Sequence, residues 1–196
     1  EQNRRATEKA VRDAEARRKT ADTEESVRDA LKQAETLQAK LRADLALPGG
    51  VFALVDDPAR WEGRIQVPLA FLERSRALLT TTPDADPALV EHAKRLASSV
   101  AKDEADRTLA LRLEAIRSDR ANLSKDELDN AGAFLQYEEA FAQAGRDVLK
   151  EPSHILAERI NAFTVREQIV AALEDWALLA FWQRKADVSK VILQTV

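Results

Sequence analysis

The sequence predicts an all-α protein: a long N-terminal helix followed by an elongated helical bundle with repeat-like hairpins. Two observations carry this. Ala, Leu, Glu, Arg and Lys, the strong helix formers, dominate a chain that is 33% charged and only 5% aromatic. Five Gly and six Pro in 196 residues leave little material for the turns of an all-β fold.

Residues 1–47 contain neither Pro nor Gly, so one long helix is allowed. Its first thirty residues balance eight basic side chains (among them Arg4, Lys9, Arg12 and Arg28) against eight acidic ones (among them Glu8, Asp13, Glu24 and Asp29). Such a stretch has almost no apolar stripe and relies on i,i+4 charge pairs in water. From Val27 the pattern changes. Val27, Leu31, Ala34, Leu41 and Leu45 form a short heptad seam with Gln38 at the skipped position, a candidate for oligomerisation or for packing on the rest of the chain. "LPGGVFALVDDP" at 47–58 stops the helix, since Pro48 cannot continue it and Gly49–Gly50 permit a left-handed turn.

A second helix starts at Pro58, capped by the Asp56–Asp57 pair, with Trp61, Ile65, Leu69, Leu72 and Leu79 on its buried face. Pro68 inside it should kink or split it. "TTTPDADP" at 80–87 is a hinge, and a long third helix follows towards Ala121. Leu89, Ala93, Leu96 and Val100 form one stripe of it, and Leu109, Leu113 and Ile116 another. Asp103 and Arg107 interrupt the run, so this helix should change packing partner midway. The capping boxes "SKDE" (Ser124, Glu127) and "TVRE" (Thr164, Glu167) announce two more helices, and "EPSH" opens one between them. The expected segments are 1–47, a charged helix; 48–86, a linker and kinked helix; and 87–196, a bundle with hairpins.

No catalytic constellation emerges. Glu138 and Glu139 are adjacent, so on a helix they point about 100° apart and cannot share an ion or a proton. His92 and His154 lack Glu-x-x-His spacing, and no serine sits in a G-x-S-x-G elbow. Gly49–Gly50 have no P-loop lysine, and Asp84/Asp86 lack the glycine and glutamate of an EF-hand. No cofactor and no metal are expected. A net charge of −4 gives no global attraction to nucleic acid or anionic lipid. Residues 4–19 do carry a net of +4, but their acidic continuation neutralises them. Cysteine is absent, and no run approaches the ~20 apolar residues of a membrane span. With no Met and a start at Glu1, the sequence reads as part of something longer, any membrane anchor lying outside it.

In "QYEEAFAQAGRDV" (136–148), Phe134, Tyr137 and Phe141 share one face and Gly145 closes the helix. "LEAIRSDRANL", "FLQYEEAFAQAGRDV" and "AERINAFTVREQIVAALEDWALL" together resemble a segment of large planctomycete-type bacterial serine/threonine protein kinases. There a kinase domain is followed by a transmembrane helix, a charged helix, a helical region of this type and tetratricopeptide repeats. "EQNRRATEKAVRDAEARR" is similar to the charged helix and "LPGGVFALVDDPARWEGRI" to its junction. Tyr137, Phe141 and Gly145 resemble the aromatic and small positions of tetratricopeptide-like units. None of the kinase motifs is present, so the resemblance carries over no catalytic residue.

The resemblance implies a non-catalytic sensor, spacer or docking region of a membrane-anchored signalling kinase, on the extracytoplasmic side. A basic stretch beside a membrane more often stays inside, against that placement. The expected partners are proteins, either a second copy of this chain or other helical segments. The partner surface is expected at Trp176, Leu179, Phe181 and Trp182, within "WALLAFW", which is more apolar than one helix face requires. The alternative is a ligand-sensing bundle whose small-molecule pocket is lined by Trp61, Trp176 or Trp182.

Overall fold

The computed structural model describes residues 2–122, 130–145 and 147–195. Among them the chain is all-helical: α1 (Gln2–Leu45), α2 (Gly50–Val55), α3 (Pro58–Thr80), α4 (Pro87–Asn122), α5 (Asn130–Gln143), α6 (Ser153–Asn161), α7 (Arg166–Trp182) and α8 (Ala186–Leu193). The box at Ser124 and Glu127 lies outside the described residues.

The linker reading of 48–57 missed α2, which forms because Val51, Leu54 and Val55 bury one side of a short turn of helix. The two glycines before it do different jobs. Gly49 has φ 72°, a conformation L side chains rarely adopt. A Cβ at Gly50 would meet the Asp44 carbonyl oxygen at 2.0 Å. Asp57 caps α3 as expected, its Oδ1 accepting from the Arg60 amide at 3.1 Å. Pro68 does not split α3. It is buried between Ile65 and Leu72, and this packing offsets the roughly 3 kcal/mol that a proline costs inside a helix.

The expected linear segments do not match the division of the chain. One compact unit comprises Glu1–Leu41 and Gly63–Ala101, the other Arg42–Glu62 and Lys102–Val196. The boundary cuts through α1, α3 and α4, because long helices contribute one stretch to each unit.

In the first unit α1 and α4 run parallel. Gln38 Nε2 donates to Ser99 Oγ at 3.0 Å, His92 Nε2 meets Glu35 Oε1 at 2.6 Å, and the Asp86 amide donates to Glu24 Oε1 at 2.9 Å. α3 is antiparallel to both. Val27, Leu31, Ala34 and Leu41 are at most 1% exposed here, and Leu45, in the second unit, is also buried. The seam is therefore consumed inside the chain rather than offered to a second copy. Burying each such leucine contributes about 2 kcal/mol. Gln38 is buried with them and, hydrogen-bonded to α4, fixes the register of the pair. By contrast, the described side chains from Asn3 to Lys19 are exposed, Val11 included at 53%. The charge-balanced part of α1 is a helix without an apolar partner face in this unit.

The second unit is built around α7, which packs against α2, α5, α6 and α8. Its segment of α4 begins at Lys102, beside the Asp103 that interrupts the apolar stripe. Asp103 is 3% exposed and takes a bidentate grip from Arg42, with Nη2 to Oδ1 at 2.8 Å and Nε to Oδ2 at 3.1 Å. Arg107 turns back to Glu104 at 2.7 Å. The sequence-level switch of partner thus coincides with a change of chemistry, from apolar knobs to paired charges.

The capping box at Thr164 and Glu167 does not form. α7 begins at Arg166 with no side-chain cap. Thr164 instead donates its hydroxyl (2.9 Å) and amide (3.2 Å) to Asp106 Oδ2. A buried carboxylate on α4 competes for the donors and takes them both. Burial still holds the Asp106 carboxyl above its ordinary range, against the Thr164 bonds and Lys102 that pull it down.

Candidate partner surface and the polar core beneath it

α7 reads "REQIVAALEDWALLAFW" and is apolar on more than one side. The inward side carries Ile169, Ala172, Leu173, Trp176, Ala177, Leu179 and Ala180, all at most 3% exposed. Trp176 sits in an aromatic box. Its ring centroid lies 5.6 Å from Phe134 edge-on, 6.2 Å from Tyr137 and 5.6 Å from Phe141 in near-parallel stacking. The three aromatic positions at 3,4 spacing on α5 therefore do share a buried face, while Glu138 and Glu139 are exposed. Gly145, at φ 71°, ends the helix as expected.

Polar contacts tie α5 to α7 and, twice, α7 to α4. Tyr137 donates its hydroxyl to Asp175 Oδ2 at 2.7 Å, and Arg120 Nη1 reaches the same oxygen. Gln168 Nε2 donates to Glu114 Oε2 at 2.7 Å, and Glu114 also holds Arg117 at 2.8 Å. Burial, then the bond to Asp175, pushes the Tyr137 phenol well above its ordinary value, despite Arg120 and Arg117. Arg117 is raised by its bond to Glu114. This set couples helices and holds charges in place. Among the described residues, no group of three or more His, Cys, Asp or Glu could hold a metal ion.

The outward side of α7 is different. Leu178 is 43%, Phe181 63% and Trp182 52% exposed, at the i, i+3, i+4 spacing of one helix face. The Arg120 guanidinium lies 5.9 Å from the Trp182 ring centroid, and Lys185 Nζ 3.8 Å from that of Phe134. α7 ends at an Arg184 in the left-handed conformation (φ 61°), with the Arg184 amide bonded to the Phe181 carbonyl and the Lys185 amide to that of Ala180. This is a Schellman ending without glycine. It places two basic residues at the C-terminal end of the exposed stripe, and Glu174, also exposed, one turn before Leu178.

The expected surface of Trp176, Leu179, Phe181 and Trp182 is thus corrected by half. Trp176 and Leu179 are 1% and 0% exposed, because they fall on the inward side, and Leu178 takes their place outside. Arg120 and Asp175 were missed. A lone aspartate inside the apolar run beside Trp176 was the available signal. Of the tryptophans proposed for a ligand pocket, Trp61 and Trp176 are fully packed. The groove of about 560 Å³ bordered by Leu69, Leu72, Leu79, Val90 and Ala93 in the first unit has no tryptophan in its lining. No helix among the described residues is long and apolar enough to cross a membrane. No family model, curated protein or solved structure matches this chain.

Proposed function

We propose that this chain is a helical spacer and protein-interaction region that works by docking rather than by chemistry, within a membrane-anchored serine/threonine kinase of the planctomycete type. The observation that carries the docking reading is the outward face of α7. Three large apolar side chains stand in water on a helix whose other face is a packed core. The exposed charge-balanced start of α1 suits a spacer. The kinase context rests on the three quoted segments, and the repeat-like reading of α5–α8 rests on Tyr137, Phe141 and Gly145.

Two experiments test this. In the natural protein containing the segment, Phe181→Ser with Trp182→Ser should abolish binding of its protein partner while leaving the circular dichroism spectrum unchanged. Undiminished binding would overturn the docking reading. For the context, the reading frame upstream of Glu1 should encode kinase motifs followed by a span of about 20 apolar residues. A start codon close upstream would contradict it.

A further inference from the structure

We infer that the outward face of α7 is self-complementary and pairs with the same face of a second copy of this chain, the two α7 helices running antiparallel across a two-fold axis. The inference rests on the docking reading above and names the partner. Along α7, Leu178 and Phe181 are equidistant from the midpoint between Leu179 and Ala180; exposed Glu174 lies on one side of that point, and exposed Arg184 and Lys185 lie just past the helix end on the other. In an antiparallel pair centred there, Leu178 of each copy meets Phe181 of the other. The acidic end at Glu174 meets the basic end at Arg184 and Lys185, twice. An isologous interface requires this kind of internal match, each residue facing the partner of its own counterpart. A parallel pairing would set glutamate against glutamate.

The basic end is held in place by the fold. The Schellman ending fixes the backbone at Arg184, and Lys185 lies over the Phe134 ring. The Arg120 guanidinium, 5.9 Å from the Trp182 ring centroid, adds a cation–π contact to that side chain. Three apolar side chains per copy fall well short of the roughly 1,200–2,000 Å² of a stable complex. The pairing is therefore weak, with a dissociation constant on the order of 10 μM or higher.

Sedimentation across a concentration series tests it. The chain should show a monomer–dimer equilibrium that Phe181→Ser weakens by at least about tenfold. Glu174→Arg and Arg184→Glu should each weaken it by about threefold, and combining them should restore part of it, since Lys185 is unchanged. All three positions are exposed, so folding is not at stake, and circular dichroism confirms this for each variant. A monomer at every concentration, association indifferent to Phe181→Ser, or no restoration in the double variant would each overturn the pairing. If the chain stays monomeric while Phe181 and Trp182 remain necessary for binding in the longer protein, the docking reading stands and this occupant is wrong.

Discussion

Tyr137 and Arg120 converge on one carboxylate oxygen, Oδ2 of Asp175, and so join α5, α4 and α7 at the floor of the exposed stripe. Tyr137 is the only tyrosine in the chain, which makes its titration readable. Its phenol is raised, so between the unfolded value near 10 and the higher folded value the unfolded chain carries fewer protons. Stability from this group is complete below about pH 10 and falls as pH rises above it. Tyrosinate absorbance should therefore develop only together with alkaline loss of helix. Tyr137→Phe should cost about 1–2 kcal/mol in urea denaturation at neutral pH.

Asp106 gives the opposite lesson about a buried acid. Its carboxyl is raised by burial, so its contribution is favourable below the ordinary 3.8 and is lost as pH rises through the higher folded value. Asp106→Asn keeps an oxygen to accept both Thr164 donors and removes the charge. Its denaturation midpoint at pH 7 should equal or exceed that of the wild type. The difference should vanish as the pH approaches 3.

Arg42 and Asp103 should behave as a unit. Removing Arg42 alone leaves a carboxylate whose side chain is 2% exposed, so Arg42→Ala should cost about 3 kcal/mol. The double variant Arg42→Leu, Asp103→Leu should recover most of that. A double variant no better than the single one would show that the pair itself, not the loss of Arg42's grip on a buried carboxylate, is what matters.

The adjacent glycines should separate by mechanism. Gly49→Ala places a Cβ in a left-handed conformation with open space around it, costing about 1 kcal/mol. Gly50→Ala drives a Cβ against the Asp44 carbonyl and should cost about 3 kcal/mol through overpacking and displacement of α2. Thermal unfolding of the two variants measures the order.

Much of this architecture was legible in residue spacing. The long helices, the Pro58 and Gly145 boundaries, the buried α5 face and the midway change in α4 all follow from apolar period and caps. What spacing could not give is which of two competing partners a group takes. Thr164 looked like a cap until Asp106, 58 residues away, claimed it. The Val27–Leu45 seam could as well have met another copy as another helix of its own chain, since both bury the same heptad positions. At α7 the spacing of Val165, Ile169, Leu173, Trp176 and Ala180 does mark the inward side, and all five are buried. Placing Trp176 and Leu179 on the surface followed the excess of apolar residues in "WALLAFW" instead of that period.

Because the chain has no cysteine, a single introduced thiol reports directly on whether α7 meets its own copy. In Leu178→Cys, next to the inferred two-fold axis, mild oxidation should yield a covalent dimer that reductant reverses and that a second change, Phe181→Glu, suppresses. A thiol that stays monomeric under oxidation, or one whose dimer yield ignores Phe181→Glu, would contradict the self-pairing of α7.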